Sequence, residues 1–146
     1  MFDTSHIHPM LVHFPIALTL LGVLFAAVHQ FKPEKFPYPC GEIILYFATL
    51  SAILAATAGG LFTPDFTEPK LMAAENIHSS FAGLTVTLLC IATLLYASRY
   101  RFKKQTRVLQ KMGFVVYILA ALSVSVTGFL GGALVYNDLM GKVFGS

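Results

Sequence analysis

The sequence predicts an all-α membrane protein with four transmembrane helices in an antiparallel bundle. Three observations support this fold class: hydrophobic residues make up 56% of the 146-residue chain, charged residues make up only 12%, and the mean hydropathy is +0.72. Soluble proteins contain about 25% charged residues, and a transmembrane helix needs roughly 20 mostly apolar residues. Four such stretches are present, at about residues 10–31, 43–62, 77–98 and 114–135.

Little of the chain lies outside these stretches, so we expect a single domain over residues 1–146 with no room for a soluble catalytic module. Proline-containing segments separate the helices, with KPEKFPYPC after the first and TPDFTEPK after the second. Proline lacks the N–H that a helix interior needs, which makes both segments typical of loops. We therefore expect a membrane subunit rather than a stand-alone enzyme.

Basic residues are distributed unevenly between the predicted loops. Eight of the ten Lys and Arg residues lie in the loops around residues 32–40 and 99–111, and the other two, Lys70 and Lys142, lie on the opposite side. Short cytoplasmic loops of membrane proteins carry an excess of basic residues. We therefore expect these two loops in the cytoplasm and both termini outside. The net charge of +3 reflects this bias and does not indicate nucleic-acid binding.

A weak internal repeat relates the two halves of the chain at an offset of 70 residues. The repeat places His8 on His78, and it also matches Thr57 with Thr127, each of which precedes glycines. The pattern predicts two helical hairpins of the same topology, related by an axis along the membrane normal.

Histidines begin the first and third predicted spans. His13 and His78 both lie close to the outer ends of their spans, so we expect them at similar depth. His8 lies about 7 Å further out at 1.5 Å per residue. It is turned roughly 140° from His13 at ~100° per residue. Imidazole in a membrane-spanning segment is costly without a partner and indicates a functional group by default.

Haem b is the cofactor that this arrangement favours. Haem iron takes axial ligands such as histidine, and we expect His13 and His78 to supply them, with His8 either a further cofactor contact or an interfacial group. Small residues let helices admit a flat porphyrin, and we assign this role to three glycines: Gly60, Gly131 and Gly132. The chain has no C-x-x-C-H motif, which excludes covalent attachment.

Several other roles stay open at this point. The three outer histidines, with Asp65, could hold zinc or copper, which take three or four protein ligands. The histidines could also be hydrogen-bonded groups of a non-redox scaffold that anchors partners. A metal-ion or proton pathway is a third role, although no acidic residue lies within the four predicted spans. Tyr136 belongs either to the interfacial aromatic belt or to a contact with a haem propionate or a quinone.

Motifs at both ends of the chain resemble those of a family of small bacterial inner-membrane proteins that is known as a domain of unknown function. The chain opens with HPMLVHFPIAL and closes its fourth span with GFLGGALVY, similar to the family patterns H-P-x-x-V-H-F-P and G-G-x-L-V-Y. By position, His8, His13 and His78 match the family's histidines, and Gly131 and Tyr136 belong to the closing motif. Family members occur with Rieske-type iron–sulfur proteins, so the resemblance implies redox work.

Together these inferences predict a b-type cytochrome-like subunit of the bacterial inner membrane. The subunit would hold one haem near the periplasmic face, where both termini are expected. It would pass electrons between a quinol and a periplasmic redox protein, or within a larger respiratory complex. The lipid bilayer and a quinone are the other expected partners.

Overall fold

The computed structural model describes residues 7–32, 39–62, 68–102 and 106–144, with side chains described from His8 to Tyr136 within these ranges. In this part of the chain all regular secondary structure is helical: α1 (Ile7–Leu11), α2 (His13–Phe31), α3 (Cys40–Phe62), α4 (Pro69–Arg101) and α5 (Thr106–Phe144). Four segments are long and apolar enough to cross a membrane: His8–Phe31, Cys40–Phe62, Pro69–Arg101 and Thr106–Tyr136. The predicted fold class is confirmed.

The first span is interrupted at Val12, between α1 and α2. Pro15 has no N–H to donate to the carbonyl of Leu11, because the proline ring replaces the amide hydrogen. The chain makes a turn at Val12, whose own N–H still donates to the His8 carbonyl over 3.1 Å. As a result, His8 lies in the short α1, and His13 is the first residue of α2.

Three helices begin before the predicted boundaries of their spans. α3 begins at Cys40, three residues before the predicted start, and therefore includes Glu42. α4 begins at Pro69, a residue type that suits the first helical turn because its missing N–H has no partner there anyway. α4 and α5 contain 33 and 39 residues, which makes them longer than the ~20 residues that cross a bilayer. The histidine of α4 therefore lies in its third turn, not at its start.

Buried positions confirm that the chain contains two similar hairpins, which we call the first hairpin (residues 7–62) and the second hairpin (residues 69–144). The buried residues of α2 each lie 70 positions before a buried residue of α4: Pro15 and Thr85, Thr19 and Leu89, Gly22 and Ala92, Ala26 and Tyr96. In α3 and α5 the offset is 72: Gly41 and Gly113, Leu45 and Tyr117, Ala48 and Ala120, Ala52 and Val124. The offset changes between the two helices, so Thr127 corresponds to Ala55 and not to Thr57.

Small residues line the contacts between the helices. The buried apolar cluster contains four alanines next to larger side chains from α2 to α5: Ala26, Leu45, Ala52, Leu89, Ala92, Tyr96, Tyr117 and Ala120. A Cβ atom at Gly41 would overlap the backbone of Ala26, so α2 and α3 approach as closely as glycine allows. Such packing is expected in lipid, where van der Waals contact rather than hydrophobic burial holds helices together.

The two ends of the bundle carry different polar groups. We call the end with His8 and His78 the histidine end, and the end with Glu42 and Arg99 the ion-pair end. α1 and the start of α4 lie at the histidine end. The start of α3 and the last turn of α4 lie at the ion-pair end.

Candidate functional site

Two imidazole rings meet at the histidine end, one from each hairpin. The ring centroids of His8 and His78 are 6.4 Å apart, and the ring planes are inclined by 79°. Both residues are half-buried. The repeat that matches these two histidines in the sequence therefore also brings them together in space.

Each of the two histidines is held by the second helix of its own hairpin. The Nδ1–H of His8 donates to the carbonyl of Ala55 in α3 over 3.0 Å. The Nδ1–H of His78 donates to the carbonyl of Thr127 in α5 over 3.1 Å. A hydrogen bond from Nδ1 sets which ring nitrogen carries the proton and leaves the lone pair of Nε2 for a ligand. Both rings are thus oriented as metal-ligating histidines are, with a backbone carbonyl behind them.

One glycine beside each histidine makes room for the imidazole. A Cβ atom at Gly59 would lie 2.9 Å from Cε1 of His8, and a Cβ atom at Gly131 would lie 2.9 Å from Cε1 of His78. A Cβ at Gly60 or Gly132 would meet nothing within 4 Å. Among the predicted glycines, only Gly131 contacts a histidine. Gly59 was not among the predicted glycines. It lies 72 residues before Gly131, and this offset, which relates α3 to α5, is the signal that identifies it.

His13 lies apart from this arrangement. Its side chain is exposed, and its Nδ1–H donates over 2.8 Å to the carbonyl of Pro9 in the same span. His8 and His13 are separated by about 140° around a helix, so only one of them can face the neighbouring hairpin. The ring contact of His78 is with His8, which differs from the predicted pairing of His13 with His78. That prediction relied on depth alone, and the ring contact places His78 at the level of His8, nearer the end of the first span than His13.

The other predicted site residues contribute little to the described arrangement. Tyr136 is 62% exposed. Asp65 lies outside the described residues, and so do the side chains of Asn137 and Asp138. Within the described part of the chain, no group of three or more His, Cys, Asp or Glu side chains is placed to hold a metal ion. The donor set there is a pair of imidazoles, which is smaller than the set that zinc prefers.

A buried ion pair, not predicted from the sequence, joins the hairpins at the other end. Glu42 is only 4% exposed, and its Oε1 lies 2.6 Å from an Nη atom of Arg99. The expectation that the spans contain no acidic residue is wrong, because α3 begins early enough to include Glu42. A small cavity adjoins the pair, and four helices or their ends line it: Ala26, His29, Pro39, Gly41, Glu42, Tyr96 and Gln110.

Hydroxyl groups form hydrogen bonds between the helices in the interior. Thr85 of α4 bonds Ser123 over 2.8 Å and Thr127 over 3.2 Å, both in α5. Thr49 of α3 bonds Thr93 of α4 over 2.8 Å. Polar groups within a bundle in lipid are usually paired in this way, because hydrocarbon offers them no partner.

The fold and the two polar ends define a multi-pass helical membrane protein with a histidine pair near one membrane face. A family model described as "Predicted membrane protein (DUF2231)" matches residues 4–143. The chain therefore belongs to this family, whose members are predicted membrane proteins of unknown function. No curated protein and no solved structure matches the chain.

Proposed function

We propose that this protein is a b-type cytochrome-like membrane subunit that holds one haem between His8 and His78. The observation that carries the proposal is the paired imidazoles, one from each hairpin, with both Nδ1 atoms bonded to backbone carbonyls. Histidine is the usual axial ligand of haem b, and helix bundles build such sites between facing helices.

The distance between the rings fits this assignment. Imidazole nitrogen lies about 2 Å from a metal ion that it ligates, so two rings on opposite sides of one ion have centroids roughly 6 Å apart. The 6.4 Å between His8 and His78 agrees with this value. The glycines at 59 and 131 let both rings lie against the helix backbone. His8 and His78 are therefore the residues that would hold the metal, since the spacing of their rings suits two imidazoles on one ion.

When bound, the haem supplies one-electron transfer, which no side chain of the pair can perform. The protein's part is to hold and tune the ligands. The carbonyls of Ala55 and Thr127 orient the rings and raise the basicity of their Nε2 atoms, as hydrogen-bond partners of ligating histidines do. We assign Tyr136, on the same rim, to contact with a haem propionate or a quinone.

The cellular setting follows from the charge distribution and is part of the proposal. The loops at the ion-pair end contain most of the basic residues, which favours the cytoplasmic side of a bacterial inner membrane for that end. The histidine end and both termini then face the periplasm. A quinol in the bilayer and a periplasmic redox protein, or a larger respiratory complex, are the partners for electron transfer.

Absorption spectroscopy tests the proposal. The protein is purified in detergent from cells supplied with a haem precursor, and reduced-minus-oxidised spectra are recorded. We expect bands of low-spin haem b in the wild type and in His13→Ala, and their loss in His8→Ala and His78→Ala. His13→Ala is the matched control, because it removes an exposed imidazole from the same span.

Two results would overturn the assignment. A wild-type protein that is folded and contains no haem would refute the cytochrome function. Loss of the haem bands in His13→Ala, with His8→Ala unaffected, would instead establish the His13–His78 pair.

A scaffold that anchors partners is the second candidate. One observation favours it: each imidazole is already held by a hydrogen bond and a glycine of its own hairpin, so the pair needs no metal to stay in place. For a scaffold we expect colourless wild-type protein, and His8→Ala and His78→Ala should change only stability.

A further inference from the structure

We propose that the bundle conducts protons between its two ends along a track of buried polar groups, from Glu42 at the ion-pair end to Thr127 at the histidine end. This inference goes beyond the proposed haem site and does not depend on it. Ionisable and polar residues inside a membrane are costly and mark ion and proton pathways. The track is built from three parts, which follow from one end to the other.

The ion-pair end supplies the entry. One carboxylate oxygen of Glu42 contacts Arg99, while Oε2 has no hydrogen-bond partner among the described residues. The adjoining cavity measures about 10 Å³, close to the space that one water molecule needs. A water there gives Oε2 a partner and passes it a proton.

Several charged or titratable groups face Glu42 from the surrounding helices. They are His29 from α2, Tyr46 from α3 itself, and Tyr96 and Arg99 from α4. α5 contributes the neutral Gln110 to the cavity wall. Tyr96 lines the same cavity as Glu42 and interacts electrostatically with Tyr117, so its hydroxyl is the next group on the track from Glu42 toward the middle of the bundle.

The middle of the bundle contains two buried polar atoms that have no protein partner. Tyr117 and Thr19 are both 0% exposed, and neither hydroxyl has a hydrogen-bond partner in the described part of the chain. The Tyr117 hydroxyl lies against Gly22, one turn of α2 from Thr19. Buried polar groups left without protein partners are usually satisfied by buried water. Water at these two hydroxyls is therefore part of the proposal.

Contacts between α2 and α5 set the depth of Thr19. Ile16 lies 3.0 Å from the Cβ position of Gly128, and Gly22 lies against Tyr117. Thr19 lies between Ile16 and Gly22 on α2. It is therefore level with the part of α5 between Tyr117 and Gly128. Water at Thr19 then lies at the level of the hydroxyls that connect α4 and α5.

The histidine end supplies the exit. Thr85 bonds both Ser123 and Thr127, and the Thr127 carbonyl accepts the Nδ1–H of His78. A hydroxyl accepts one proton and releases its own, so each step conserves protons and needs no oxidant or reductant. Thr127 is partly exposed and can pass its proton to water at the rim. The exit therefore leaves both imidazole Nε2 atoms free for a ligand.

Proton flux through vesicles tests the track. The full-length protein is reconstituted into liposomes that contain a pH-sensitive dye, and a potassium gradient with valinomycin drives proton entry. We expect faster acidification than in protein-free liposomes, and a severalfold lower rate for Thr85→Val and Tyr117→Phe. Thr87→Val is the matched control, because the Thr87 hydroxyl is exposed and bonds only its own helix; its rate should equal that of the wild type.

Each outcome of this experiment decides the proposal. A wild-type rate equal to that of empty liposomes overturns it, and so do equal rates for Thr85→Val and Thr87→Val. Glu42→Gln should also lower the rate, but it leaves Arg99 without its partner, so the two conservative hydroxyl variants carry the test. Haem spectra of the same samples separate the proposals: colourless protein that conducts protons refutes only the cytochrome function, and haem protein that does not conduct refutes only the track.

Discussion

The two hairpins share a backbone plan but differ in the middle and at the ion-pair end. Both provide a histidine on the first helix, with a carbonyl and a glycine that hold it on the second. Away from that end the matched positions diverge. Gly22 corresponds to Ala92, Leu45 to Tyr117, Glu42 to Phe114, and His29 to Arg99. The comparison teaches that the histidine end is built twice in the same way, whereas Glu42, Tyr117 and Thr19 each correspond to an apolar residue in the other hairpin.

The largest expected effect comes from breaking the ion pair that joins the hairpins. Removing one partner of a buried ion pair costs about 3–5 kcal/mol, because the other charge is left buried and unpaired. We expect this loss of unfolding free energy for Glu42→Ala, measured by unfolding in mixed detergent micelles. Glu75→Ala is the matched control: Glu75 accepts a bond from Ser79 of its own helix.

In the double variant, Glu42→Phe gives the first hairpin the residue that the second has at the matched position 114, and Arg99→Leu removes the charge that would be left unpaired. Its loss should be smaller than that of Glu42→Ala alone, since no unpaired charge remains. Equal losses for Glu42→Ala and Glu75→Ala would show that the ion pair does not hold the hairpins together.

The next effect concerns the contact between Gly22 and Tyr117. A methyl group at position 22 would overlap the Tyr117 hydroxyl, and overpacking of this kind costs about 1–3 kcal/mol. We expect Gly22→Ala to be destabilising in the same unfolding assay, although alanine is the better helix former.

Tyr117→Leu should relieve that cost, since the positions that match Gly22 and Tyr117 in the repeat already combine alanine with leucine: Ala92 in α4 and Leu45 in α3. A double-mutant cycle of Gly22→Ala and Tyr117→Leu measures the coupling. Additive effects would mean that the two side chains do not compete for space.

A smaller effect is expected from removing either histidine ring of the pair. Each ring makes one hydrogen bond to a carbonyl of its own hairpin, and such a bond contributes about 0.5–1.5 kcal/mol. In haem-free protein we expect similar losses of stability for His8→Ala and His78→Ala, because the two environments match. A markedly larger loss in one of them would break the equivalence of the two hairpins at this end.

The smallest effect is expected at the glycines of the histidine end. Gly59→Ala and Gly131→Ala place a methyl group 2.9 Å from an imidazole Cε1, and the ring can rotate away at the loss of its hydrogen bond. Gly60→Ala and Gly132→Ala meet no neighbour within 4 Å, so alanine should stabilise these helices by up to about 1 kcal/mol. Unfolding in micelles should therefore show a loss of stability for Gly59→Ala and Gly131→Ala, and a gain in stability for Gly60→Ala and Gly132→Ala.

The histidine end shows how far the sequence predicts the site and where it stops. The repeat at offset 70 matched His8 with His78, and their contact confirms the match. The choice of His13 relied on counting residues from the ends of the predicted spans. That count gave His13 and His78 similar depths, but His78 meets His8, which lies nearer the end of the first span. Gly59 was not predicted because the repeat was read at an offset of 70 throughout, whereas α3 and α5 are related by an offset of 72 that matches Gly59 with Gly131.

Glu42 illustrates a second limit. The residue lies next to the predicted second span, and hydropathy alone left it just outside that span. Only the structure shows that α3 starts before it and that Arg99 of the other hairpin lies within ion-pair distance. An acidic residue at a helix end is ordinary when exposed, and only the position of its partner makes it a buried group.

The sequence by itself determined the four apolar helices and the likeness of the two hairpins, because a bilayer requires long apolar segments whose backbone polar groups are satisfied within each helix. The tertiary structure alone decided which faces pack together, and with them the His8–His78 pair, the Glu42–Arg99 pair and the buried hydroxyls. The reason is physical: lipid is as apolar as a protein core, so a helix that faces lipid and a helix that faces its neighbours show the same hydrophobic pattern. Only packing distinguishes the two.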